Sequence, residues 1–222
     1  MEFPIVTLKK DAWPELLAHI PDTPKQLYLR GALADSSHKI LAVVGSRAAS
    51  TYGKEVTRKL IEGLRGYPIT IVSGLAIGID TCAHEAALAA GLHTVSVPGS
   101  GISDSVLYPA RNKRLAHRIL ESGGALLSEF APDFRATPWS FPARNRIMAG
   151  MSHAVLVIEA EQRSGTLITS KLATEYNRDV FTVPGSIFAS QSAGPHMLIR
   201  LGATPITSPK DVLEALGFDT DD

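Results

Sequence analysis

Short apolar runs rich in β-branched residues recur along this chain, each followed by a glycine-bearing turn and then by a stretch with helical spacing. The runs fall at 40–44, 69–72, 94–97, 125–127, 154–158 and 180–183, with a weaker one at 204–207. Helical spacing occupies 51–64, 79–90, 109–120 and 166–177. The runs do not alternate apolar with polar positions, which is the pattern of strands covered on both faces, as in a parallel sheet between layers of helices. Strand–helix alternation therefore predicts an α/β fold: an extended, Rossmann-like, doubly wound and mostly parallel sheet flanked by helices. At 222 residues, one large domain with a small appendage accommodates the chain, and a core of that size needs no disulfide or metal staple.

Residues 1–38 break the pattern. Trp13, Leu16, Leu17, Pro21, Pro24 and Tyr28 predict a short helix, a Pro-broken loop and an arm, packed as an extension on a core of residues 39–217. Residues 218–222 form an acidic tail. The single cysteine, Cys82, excludes a disulfide framework and a cysteine-rich zinc site and points to a reducing compartment. The N-terminal residues show no signal-peptide pattern. The longest charge-free stretch, 66–79, is short and broken by Pro68 and glycines, so no spanning helix is expected. The expectation is a soluble cytoplasmic protein without a membrane partner. Lys+Arg and Asp+Glu balance at 22 each, so a polyanionic partner would have to be held by a local patch.

In doubly wound sheets ligands bind beyond the carboxyl ends of the strands, where helix N-termini present N–H groups and partial positive charge to anions. Several glycine-rich turns fall there: Gly45-Ser46-Arg47, Ser73-Gly74 and the residues up to Asp80, Pro98-Gly99-Ser100-Gly101, and Arg163-Ser164-Gly165-Thr166. Any one of them is compatible with an ordinary turn. Together, with Arg47 and Arg163 as guanidinium forks, they favour an anion site. None carries the Gly-Lys-Ser/Thr of a P-loop or a convincing dinucleotide fingerprint, so no cofactor is expected.

Basic residues concentrate at Arg111, Lys113, Arg114 and Arg118, and at Arg144-Asn145-Arg146 after Trp139 and Phe141. Guanidinium groups beside aromatics suit single-stranded nucleic acid, where bases stack and phosphates pair. A solvated helix face is an equal reading of the first cluster. The second is read as a Pro-flanked turn. No nucleophile elbow occurs, the scattered histidines offer no metal spacing, and no catalytic residue or metal ligand is assigned. Cys82 reads as packed core and His84 as structural in preference to ligand-binding. Asp80 reads as a helix cap. Glu129 and Glu159 end strands, where either a general base or a hydrogen bond to loop amides fits.

The motifs in order resemble the DNA-processing protein A (DprA/Smf) family. The likeness runs through Pro14-Glu15-Leu16-Leu17, Leu27-Tyr28-Leu29-Arg30-Gly31, Val44-Gly45-Ser46-Arg47 with Tyr52-Gly53, and Ser73-Gly74-Leu75-Ala76 with Gly78-Ile79-Asp80 and Ala83-His84. It continues through Tyr108-Pro109, Leu127-Ser128-Glu129, Phe141-Pro142 with Arg144-Asn145-Arg146-Ile147, Val157 with Glu159-Ala160, and Ser164-Gly165-Thr166-Leu167 with Thr169. Val183-Pro184-Gly185 and Leu198-Ile199 with Gly202-Ala203 complete it.

The resemblance implies a Rossmann-like core that binds single-stranded DNA with little sequence preference, protects incoming DNA, dimerises and loads the RecA recombinase during natural transformation in competent cells. It also implies that Arg47, Phe141 and Arg144–Arg146 grip the strand near the turns at 73–74 and 164–166. The helix around Gly194, His196, Met197 and Ile199 resembles the family's self-association element; packing on the sheet is the other reading. Members often carry further N- and C-terminal domains, and the likeness here covers the core. The alternative function is a nucleotide carrier or sensor, or a nucleotide phosphoribohydrolase of the LOG group. In that alternative, Thr169 stands where the LOG motif has its catalytic Glu, and an alcohol is a poor general base at neutral pH.

Overall fold

The computed structural model describes residues 3–162 and 164–220. Its strands are β1 (Ile5–Leu8), β2 (Leu27–Gly31), β3 (Lys39–Val44), β4 (Ile69–Ser73), β5 (His93–Ser96), β6 (Ala125–Ser128), β7 (Ala154–Val157), β8 (Asp179–Thr182) and β9 (Thr204–Pro205). The helices are α1 (Glu15–Ala18), α2 (Thr51–Glu62), α3 (Ile79–Ala90), α4 (Lys113–Glu121), α5 (Ser140–Met151), α6 (Thr166–Glu175), α7 (Ala193–Arg200) and α8 (Pro209–Ala215).

Among the described residues the strands form one sheet in the order β1-β2-β6-β5-β4-β3-β7-β8-β9. From β6 to β9 every pairing is parallel. The expected mostly parallel, doubly wound α/β fold is what the chain adopts. Alternate residues of each central strand enter different cores. Leu41 and Val43 pack with Leu60, Ile61 and Ala83 of α2 and α3 on one face. Ala42 and Val44 pack with Ile147, Met148 and Ala173 of α5 and α6 on the other. This two-sided burial is why the strands lack polar alternation.

The N-terminal segment differs from its sequence reading. It holds the short helix, but it also adds β1 and β2 to the sheet itself, antiparallel to each other and to β6. At the other end of the chain, α8 carries a capping box. Ser208 Oγ accepts from the Asp211 N–H, and Asp211 accepts from the Ser208 N–H. Asp221 and Asp222 of the acidic tail lie outside the described residues.

Candidate nucleic-acid interface

From β3 the chain builds outward through β4 to β6, then returns to the other side of β3 with β7. Adjacent crossovers leave β3 and β7 in opposite directions, which opens a crevice at their carboxyl ends. A groove of about 730 Å³ lies there. Gly45, Ser46 and Arg47 form one wall, and Ser164, Gly165, Thr166 and Thr169 at the start of α6 form another. The first turns of α5 close it with Phe141, Arg144 and Asn145, and Asp80 lies among the lining residues.

Arg47 is exposed, with its guanidinium carbon 5.0 Å from the centroid of the Phe141 ring. Among the described residues no carboxylate pairs with it. It is a cation steered by an aromatic face yet open to solvent. Phe141 is seated over Gly99, where a Cβ would come within 2.6 Å of the ring. The ring of Tyr108 lies 5.6 Å from that of Phe141, tilted by 56°.

The other two arginines assigned to the strand behave differently. Both stand on α5, not in a turn, because Pro142 occupies the first helical turn, where its missing N–H breaks no helix bond. Arg144 is buried. It donates to the Val97 carbonyl, bonds Asn145 Oδ1 at 2.9 Å and faces Asp80 Oδ2 at 3.8 Å. A Cβ at Gly74 would collide with its guanidinium. Burial pushes the Asp80 carboxyl up, opposed by Arg144 and by the backbone N–H groups it accepts. Burial likewise lowers Arg144, opposed by Asp80. Arg146 points away from the groove and is held by Glu129, the Asp22 carbonyl and the Asp22 carboxylate. Burial raises the Glu129 carboxyl, with Arg146 opposing.

Not every glycine-rich turn faces a ligand. Asp80 Oδ2 accepts the N–H groups of Gly74 and Ala76, at 3.1 and 3.3 Å, so the protein's own carboxylate occupies the loop before α3. Ser73 is buried, with Oγ bonded to the Val43 carbonyl at 2.7 Å. Glu159, buried at the N-terminus of α2, accepts from the Ser50 N–H and hydroxyl, which is the loop-amide reading of that residue. Gly99 and Gly101 are covered by Phe141 and by the carbonyls of Ala131 and Pro132. The start of α6 stays open: a Cβ at Gly165 would meet nothing within 4 Å. Its flanking hydroxyls, Ser164 and Thr166, bond each other at 3.0 Å. Arg163 lies outside the described residues.

Arg111 is exposed and Lys113 half-buried where a 3-10 turn runs into α4. Neither lines the groove, and Arg114 and Arg118 lie on the solvent side of α4. Asn112 between them was overlooked as an anchor. It is buried, and its Nδ2 donates to Leu75 O, Ala76 O and Thr81 Oγ1 at 2.7, 3.3 and 2.9 Å. An amide inside a basic run was the available signal. His84 is buried against Thr94 at 2.8 Å, and burial holds its pKa down to about 3. Cys82 is a half-buried free thiol. On α7, His196, Met197 and Ile199 are half-buried, with the His196 Nε2 3.0 Å from the Gly185 carbonyl. No helix among the described residues is long and apolar enough to cross a membrane.

A family model described as DNA recombination-mediator protein A matches residues 4–217. The chain belongs to that family. Protein Smf of Escherichia coli is 46% identical over 205 residues, which is 92% of this chain and 54% of Smf. The DNA processing protein DprA of Streptococcus pneumoniae is 45% identical over 217 residues, 98% of this chain and 76% of that protein. This chain therefore spans about half the length of Smf and three quarters of the pneumococcal DprA. The solved structure of that DprA superposes with a TM-score of 0.87 over 99% of this chain and 76% of its own. DprA of Helicobacter pylori, whose structure describes its single-stranded DNA binding mode, gives a TM-score of 0.83 at 29% identity, covering 96% of each chain. The resemblance drawn from the motifs is thus the family of the whole described fold, Rossmann-like sheet included.

Proposed function

We propose that this recombination-mediator family member binds single-stranded DNA in the groove between β3 and β7, with residues 39–217 as the binding core. The observation that carries the reading is Arg47. A guanidinium with no carboxylate partner among the described residues lies on the Phe141 ring, at the mouth of a crevice whose opposite wall is the open N-terminus of α6. Arg47 and the α6 amides with the Ser164 and Thr166 hydroxyls neutralise phosphates, and Phe141 offers a face near which a base can stack. Such contacts reach backbone and π-faces, not base edges, so they imply little sequence preference. Binding of this kind needs no bond-making.

The finer reading follows the family. The protein acts in the cytoplasm as a homodimer through α7, with His196, Met197 and Ile199 at the contact, protects incoming DNA during natural transformation and loads RecA onto it. Support for the dimer comes from the exposed Ile187, Phe188 and Leu201, which flank that helix in sequence as an unpartnered apolar group. Two grooves on one dimer would raise avidity through effective concentration. Thr169, buried in the groove wall, weighs against the phosphoribohydrolase reading because it supplies no carboxylate.

Fluorescence anisotropy of a labelled oligo-dT, titrated at several salt concentrations and challenged with duplex DNA and AMP, tests the proposal. Binding that resists both competitors and weakens with salt is the expected result. Absence of DNA binding, with AMP bound instead, would overturn it in favour of a nucleotide carrier.

A further inference from the structure

We infer that the bound strand leaves the groove across Tyr108, whose ring is a second stacking platform beyond Phe141, and runs on toward Arg111 and Lys113. The inference rests on the single-stranded DNA reading and extends that site past its enclosed part.

Tyr108 is 50% exposed, although its neighbour Leu107 is buried. Its ring touches Phe141 on one side, and its hydroxyl bonds no protein group among the described residues. The fold leaves much of an aromatic surface facing water at the rim of an anion-binding groove. Rings in that position stack bases of any sequence.

The chain is anchored on both sides of the ring. Leu107 anchors the chain before it, and the Asn112 amide bonds the loop ahead of α3 just after it. A preformed platform avoids an ordering cost on binding. A cation follows in the chain, since Arg111 is exposed three residues after Tyr108. The carboxylate of this segment, Asp104, is neutralised by Arg30 at 2.6 Å and lies 3.1 Å from His117 Nε2. A phosphate passing Tyr108 toward Arg111 therefore meets cations without an uncompensated acid from this segment.

The test compares wild type, Tyr108→Ala, Tyr108→Phe, Trp139→Ala and Arg47→Ala by anisotropy with oligo-dT of increasing length, after thermal melts establish that each is folded. Tyr108→Ala is expected to weaken binding of long oligonucleotides about ten-fold, the order of one stacked base. It should leave the shortest bound oligonucleotides unaffected, and Tyr108→Phe should bind like wild type. A Tyr108→Trp variant should in addition gain a fluorescence signal that oligo-dT quenches. Wild-type affinity of Tyr108→Ala at every length, with Arg47→Ala weakened, would overturn the platform and leave the groove standing. Loss confined to Trp139→Ala, the exposed ring at the N-cap of α5, would route the strand over that ring and equally overturn it. A wild-type protein that binds no oligo-dT would instead remove the single-stranded DNA reading itself.

Discussion

The Arg144 guanidinium and the Asp80 carboxylate face each other at 3.8 Å beneath the groove, both nearly sealed from water. This pair joins α5 to the loop ahead of α3, and Arg144 also reaches the Val97 carbonyl beyond β5. It is a structural keystone of the floor. Arg144→Ala strands a buried carboxylate and is expected to cost about 3–5 kcal/mol of stability. Chemical denaturation should report that loss, and Arg144→Lys should not restore it, because a point charge cannot reproduce the planar set of contacts.

Arg47 is the opposite case. It holds no ion pair among the described residues, so Arg47→Ala should leave the melting temperature unchanged. Its oligo-dT affinity should fall, and the slope of log K against log salt should flatten by about 0.7 for the one phosphate released. A full salt series on both proteins measures this directly.

Arg146→Ala separates fold from function on the same helix. Its partners are Glu129 and Asp22, so DNA affinity should not change. Stability should drop by about 1–3 kcal/mol, because the partly buried Glu129 loses its cation. An affinity loss in a variant that melts like wild type would contradict this placement.

His84 makes stability pH-dependent. Burial holds its folded pKa near 3 against an ordinary 6.5. Below pH 6.5 the unfolded chain takes up a proton that the folded chain refuses, so stability falls as pH drops toward 3 and levels off below it. His84→Gln removes that linkage. Between pH 4 and 6 its unfolding free energy should vary with pH by about one proton less than the wild type's.

Much of the architecture was legible because the central strands are covered on both faces, so Ile69 to Val72 or Ala154 to Val157 read as unbroken apolar runs. The strands at residues 5–8 and 27–31 escaped notice because they lie at the sheet's end, where Val6 is exposed and Tyr28 only half-buried. Helix α5 escaped for a different reason. From Arg144 onward nearly every residue is buried, so it has no polar stripe, and Pro142 resembled a breaker. The groove residues Gly45, Ser46, Arg47 and those at 164–166 are legible from their place after strands, and Phe141 from its place beside the basic cluster at 144–146. Which arginine stays free is not, because Asp80 and Glu129 approach Arg144 and Arg146 from other elements. Local sequence carries the side chain but not its long-range partner.

The pairing of β2 with β6 bears on how this protein is made. Gly31 lies opposite Ala125, so a chain synthesised from its N-terminal side holds β2 with one edge unsatisfied while the intervening β3, β4 and β5 are made. Non-local pairing of this sort incurs loop closure before it gains contacts, and a bare strand edge invites other chains. Arrival of β6 seals the open edges of β2 and β5 together, while β3 keeps an open edge until β7 follows.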